Sequence, residues 1–219
     1  MFFSCAPDCN HLAMQAGFIR RQTMDNTFLP LIFRMRHISR WSLMFNTEKE
    51  DLMQHTAECA FLTHFLATVG NRFFGKQYDA DRLAVCALFH DASEVLTGDL
   101  PTPVKYYNDE MKTIYKQIEA TAAGKLKSHL PEELREEYAP YLDGSPLTLE
   151  EKKLLKCADK LCAYIKCIYE LNAGNKEFQH AYTTIGKDLE ALESDELKYF
   201  LAHCLPAFSL TLDDLQGTL

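Results

Sequence analysis

Apolar residues recur at helical spacing along nearly all of this chain, while runs of β-branched residues, the usual mark of strands, are few. That pattern points to an all-α fold. The spacing predicts helices near 29–37, 51–69, 79–96, 107–129, 132–141, 148–173, 177–192 and 195–203. Breakers fall between or after them: Gly70, Gly98 with Pro101 and Pro103, Pro131, the DGSP run at 143–146, Gly174 and Pro206. Thr148 followed by Glu151 reads as a capping box opening the long helix. Residues 1–27 read as a poorly determined leader, one that depends on where translation is taken to start. Within it, Cys5, Cys9 and His11 have a zinc-like spacing but no fourth ligand nearby. Residues 28–219, rich enough in apolar side chains to bury a core, form one domain.

The net charge of −8 argues against general affinity for a nucleic-acid polymer or an anionic membrane, while a small phosphorylated substrate stays possible beside a metal or an arginine. No segment approaches the roughly 20 apolar residues of a spanning helix. The first residues also lack the basic start and apolar run of a secretory signal. Cys59, Cys86, Cys157, Cys162, Cys167 and Cys204 lie inside apolar helical patterns, so buried free thiols and a reducing cytoplasm explain them better than disulfides.

The ionisable groups that interrupt this apolar pattern are the candidates for chemistry. His55 shares a helix face with Leu52, Cys59, Leu62, Leu66 and Val69. The run LAVCALF, 83–89, is apolar on every side, predicts a helix through the middle of the domain, and leads straight into His90 and Asp91. A desolvated carboxylate needs a partner. For Asp91 that partner is either the N-terminus of a neighbouring helix or a divalent cation shared with His90 across the helix shoulder. Asp159 lies beside the apolar arc of the long helix. Two imidazoles and two carboxylates on helices expected to be buried suit manganese, iron, cobalt or zinc, with positions open for water and substrate.

These residues carry a resemblance. The order H…HD…D on a helical chain, with FHDASEVLTGDLPTPVK, the upstream RW at 40–41 and the downstream CADKLCAY, resembles the HD superfamily of metal-dependent phosphohydrolases. Within it, the chain is similar to bacterial 5′-deoxyribonucleotidases of the YfbR type from about residue 29 to about 213. The resemblance implies an HD-domain helical bundle with His55, His90, Asp91 and Asp159 as ligands of one divalent metal. It implies a substrate site made by Arg40, Trp41, the Asp99–Leu100–Pro101–Thr102 turn and the ligands His55, Asp91 and Asp159. It places Glu94 beside the metal and its water, and implies a homodimer acting on deoxyribonucleoside monophosphates. One departure is Gln54, which stands where the family often has an acidic neighbour of the first histidine.

Each role has a physical reading. Glu94, four residues after His90, sits where the helix dipole disfavours a carboxylate, unless it orients or deprotonates a water. Arg40 is a surface cation or a phosphate fork, and Trp41 a core residue or a wall against the sugar. Asp99 caps a tight turn or accepts from the 3′-hydroxyl while Trp41 crowds the 2′ position. Thr102 lies on a loop stiffened by two prolines, and Lys105 is either a second positive charge or a solvated lysine. His64, His129, His180 and His203 lack partners at ligand spacing, and PEELREEY at 131–138 reads as a solvated face. The expected reaction is hydrolysis of a deoxyribonucleoside 5′-monophosphate, with Glu94 and Arg40 catalytic. The alternatives are an HD phosphohydrolase of a dNTP, cyclic nucleotide or alarmone, and a catalytically silent nucleotide-binding regulator.

Overall fold

The computed structural model describes residues 26–105, 107–144 and 147–217, so the Cys5–Cys9–His11 cluster and nearly all of the expected leader lie outside the described residues. The described chain is helical throughout and contains no strand; a single antiparallel bridge joins Ser39 to Asp51. The first helix, α1 (Phe28–Ile32), passes into a 3-10 turn, Phe33–His37. The core is built from α2 (Leu52–Phe73), α3 (Ala80–Phe89) and α8 (Leu149–Asn172). Two four-residue helices, α4 (Glu94–Thr97) and α5 (Thr102–Lys105), lead to α6 (Asp109–Ser128) and α7 (Arg135–Asp143). The C-terminal part adds α9 (Gln179–Glu190), α10 (Asp195–His203) and α11 (Leu212–Gln216).

Side-chain caps fix the helix starts. Asp51, Asp79, Asn108 and Ser194 each accept a backbone N–H from the first turn, and Thr148 with Glu151 forms the expected capping box. The C-terminal elements after residue 203, a 3-10 turn at Leu205–Ser209 and α11, were not expected; Thr211 and Asp214 cap the latter reciprocally.

The structure corrects three expectations. Gly70 does not end its helix, because α2 continues to Phe73. The glycine is instead a packing site: a Cβ there would stand 2.8 Å from the Tyr78 ring and 3.0 Å from Glu196 Oε1. The helix expected over 79–96 breaks at residue 90. Ala87 O, which would accept from the Asp91 N–H in a continuing helix, is taken by the His90 N–H (3.5 Å) and the His90 ring Nδ1 (2.7 Å). The chain then turns through 90–93 by three-residue bonds, with Ala92 buried among Phe28, Leu126 and Leu130. Finally, LAVCALF is not buried on every side: Leu83, Cys86 and Ala87 face the core, but Leu88 is 41% exposed. The six cysteines Cys59, Cys86, Cys157, Cys162, Cys167 and Cys204 are free, and only Cys204 is not fully buried.

Candidate active site

Three separated stretches of chain meet at one point. His55 is on the second turn of α2, His90 and Asp91 are in the turn after α3, and Asp159 is midway along α8. His55 Nε2 lies 3.2 Å from Asp159 Oδ1 and 3.6 Å from Asp91 Oδ2; His90 Nε2 lies 3.1 Å from Asp91 Oδ2 and 4.0 Å from Asp159 Oδ1. The helix break resolves the geometric problem of the doublet, since adjacent residues on a helix would diverge by about 100°.

The cluster fits a divalent cation. His55, His90 and Asp91 each offer a ligand atom, all within 4.8 Å of one another. His90 anchors Nδ1 on the Ala87 carbonyl, which leaves Nε2 as the free ring nitrogen facing the cluster. The buried Nε2 atoms of both histidines have no hydrogen-bond partner, a costly state that coordination would relieve. Protonation tells the same story. Burial pulls the His55 pKa down, but the nearby carboxylates of Asp159 and Asp91 more than reverse this and push it up to about 9. The His90 pKa is raised well above its usual value because Asp91 outweighs burial. Against the same opposing burial, His90 and His55 hold Asp91 well below the usual carboxylate range, and Asp159 is lowered chiefly by His55. This is a cluster that demands positive charge.

Arg40 reaches the cluster from the loop before α2, with Trp41 next to it in the chain. Arg40 Nη1 is 3.8 Å from Asp91 Oδ2, and Trp41 packs on Phe178 with ring centroids 5.2 Å apart. Trp41 adopts a φ of 54°, the left-handed region that a bulky residue occupies only when its surroundings impose it. Glu94 is 2% exposed; its Oε1 accepts from Lys105 Nζ at 2.8 Å while Oε2 has no hydrogen-bond partner. Burial first, then the charge of Asp91, raises the Glu94 pKa to about 7 against the pull of Lys105. Asp99 lies 3.7 Å from Lys105 Nζ, after Gly98, whose φ of 75° suits glycine at this turn.

Two expectations are placed differently. Thr102 is exposed at the head of α5, whereas Leu100 and Pro101 are half-buried. Gln54 is exposed and donates to Glu58 Oε1 at 3.0 Å on the outer face of α2, so this departure does not touch the donor cluster. The sequence reading missed Glu50. It is 5% exposed, accepts from Arg40 Nε (2.8 Å) and Trp41 Nε1 (3.2 Å), and stands 3.7 Å from His55 Nδ1. Within the charged run TEKED it looks like a solvated loop acid; the one usable signal was its place between RW and the first histidine.

An all-helical bundle with this donor set defines an HD-domain phosphohydrolase. The fold matches an HD-domain phosphohydrolase from Listeria innocua with a TM-score of 0.72 at 24% identity, covering 83% of this chain and 88% of that one. It also matches a cyanophage S-2L HD phosphohydrolase, solved bound to dA and one catalytic zinc ion, with a TM-score of 0.55 at 21% identity over 80% of this chain and 95% of that one. More specifically, residues 27–208 match the family described as 5′-deoxynucleotidase YfbR-like, and the chain belongs to that family. A 5′-deoxynucleotidase of Citrobacter koseri and the 5′-deoxynucleotidase YfbR of Salmonella paratyphi B are each 47% identical to it over 188 residues, 86% of this chain and 94% of theirs.

Proposed function

We propose that residues 28–219 form one catalytic domain that hydrolyses deoxyribonucleoside 5′-monophosphates to deoxyribonucleoside and phosphate with one divalent metal held by His55, His90, Asp91 and Asp159. The observation that carries this reading is the convergence of the His55, His90 and Asp91 ligand atoms within 4.8 Å, with the Arg40 guanidinium 3.8 Å from Asp91. The 47% identical relatives named 5′-deoxynucleotidase support the substrate class. The mixed nitrogen–oxygen set suits cobalt, manganese, zinc or iron. Such an ion, when bound, supplies charge neutralisation at the phosphate and a lowered pKa for the attacking water.

The chain's own groups do the rest. Arg40 binds the phosphate and stabilises charge on its equatorial oxygens. Glu94, buried and with one free oxygen, takes a proton from water as the water oxygen bonds to phosphorus. The P–O5′ bond breaks in line, and the 5′-oxygen leaves with a proton returned from Glu94. Lys105 holds Glu94 in place and keeps its carboxylate form accessible. Asp99 accepts from the 3′-hydroxyl, Trp41 limits room at the 2′ position, and the Leu100–Thr102 backbone lines the sugar side. A triphosphate would need further cations, yet Lys105 is already paired with Glu94 and Asp99, which favours a monophosphate.

A homodimer belongs to the same reading, supported by aromatic surface left on α2, where Phe61 is 77% exposed. The six free cysteines support a reducing cytoplasm. The test is phosphate release from a panel of dNMPs, NMPs and dNTPs with cobalt, manganese, zinc, iron or chelator. Release from dNMPs that stops on chelation is expected; full activity in chelator, or a preference for dNTPs, overturns the reading.

A further inference from the structure

Glu50 has no part in breaking the phosphoester, yet its carboxylate meets Arg40, Trp41 and His55 at once. Its Oε1 accepts from Arg40 Nε at 2.8 Å and faces His55 Nδ1 at 3.7 Å; its Oε2 accepts from Trp41 Nε1 at 3.2 Å. Its carbonyl accepts the Arg40 N–H at 3.0 Å, so Arg40 is held by backbone and side chain together. A guanidinium bound through Nε has its plane fixed, and here Nη1 lies 3.8 Å from Asp91 in the donor cluster. Trp41 is held equally from several sides. Met44 N and Asn46 Nδ2 donate to its carbonyl at 2.9 and 3.2 Å, Phe178 packs on its ring, and Glu50 takes its indole N–H. A left-handed tryptophan persists only under such restraint.

The loop needs no help from Glu50 to stay attached at its far end. Glu170 on α8 accepts from Thr47 N, Thr47 Oγ1 and Glu48 N, at 3.0, 2.7 and 3.3 Å. Glu50 therefore acts at the inner end of a loop that is separately clipped on the outside.

We propose that Glu50 is a positioning residue: it presents the Arg40 fork and the Trp41 indole to the substrate and joins both to His55, so that the phosphate clamp and the first metal ligand form one unit. This rests on the hydrolase reading above, and the test separates the two. An amide has one acceptor oxygen, so Glu50→Gln keeps at most one of the two side-chain bonds. Trp41 is the only tryptophan of the chain, and its emission reports its own environment without turnover. Glu50→Gln is expected to raise the KM for dAMP about tenfold or more with a smaller change in kcat. It is also expected to shift Trp41 emission to the red and to weaken manganese binding, titrated without substrate, by roughly 10-fold. Glu50→Asp, which keeps two acceptor oxygens, shifts each reading in the same direction by less. KM and emission at wild-type values in whichever variant folds overturn the proposal, whatever the melting temperature. So does a fall in kcat alone, and a raised KM with unchanged emission overturns the link to Trp41. Wild-type protein that releases no phosphate from dAMP defeats the hydrolase reading, while the emission change still tests the hold on Trp41.

Discussion

At the scale of single residues, Glu94 is the group whose behaviour is most determined by its surroundings. A carboxyl that is 2% exposed and near Asp91 prefers its proton, and its pKa rises to about 7, while Lys105 at 2.8 Å pulls it back. A divalent cation favours the carboxylate further, so in the loaded enzyme the acid limb of kcat/KM should fall between the ordinary 4.5 and about 7, with activity rising as pH increases through it. Lys105→Met removes a stabilising cation and should move that limb to higher pH. Glu94→Gln should abolish it and lower kcat by roughly 10²–10⁴-fold. A pH–rate profile of the three proteins checks both, and a limb that stays put in the Lys105 variant would remove Glu94 from the proton path. In the sequence His55, His90 and Asp91 stand out because each interrupts an apolar helical pattern where a charge needs a reason, whereas Asp159 lies only beside such an arc and Glu94 is singled out chiefly by the family resemblance. Glu50 was hidden because its burial comes from a loop folding back on itself, which helical periodicity does not describe.

At the scale of elements, the boundaries were less legible than the elements. Periodicity and breakers predict a stop at Gly70 and an unbroken helix over 79–96; in the structure the glycine serves packing instead, and a side chain ends the second helix. A glycine stands inside α2 at position 70 because Tyr78 and Glu196 occupy the space of a Cβ, and α3 ends because the His90 ring captures Ala87 O. Gly70→Ala gains up to about 1 kcal/mol of helix propensity but forces the Tyr78 ring to move, an overpacking cost of about 1–3 kcal/mol. The expected net effect is a loss of up to about 2 kcal/mol, a fall in Tm of up to roughly 8 °C for a chain of this size. Catalysis should be unchanged, because Gly70 lies about 22 Å along α2 from His55 at 1.5 Å per residue. Thermal melts beside dAMP kinetics read both, and a raised Tm would show that Tyr78 yields at less cost than the helix gains.

At the scale of the whole molecule, the donor cluster is also a joint. His55 belongs to α2, the His90–Asp91 turn to the end of α3, and Asp159 to α8, the three helices that make the core. The unfolded chain holds these groups apart, so an ion that binds them together acts on the native state alone. Linkage then requires stabilisation of about 2.7 kcal/mol when the free ion is at 100 times its Kd, a Tm rise of roughly 5–10 °C. The sign with pH follows from the histidines. With the His55 pKa pushed up to about 9 in the absence of metal, coordination near neutral pH must displace a proton, so affinity and the Tm gain both shrink as pH falls. Conversely, the metal-free protein draws stability from the raised histidine pKa. That contribution is fully present below the ordinary value of 6.5 and is lost as pH rises through about 9. Chelated protein should therefore lose Tm between these limits, and manganese or zinc should restore it most strongly at the alkaline end. Asp159→Asn should melt with little response to either ion. Equal metal-induced shifts at pH 6 and pH 8.5, or a full response in Asp159→Asn, would mean that the ion binds elsewhere.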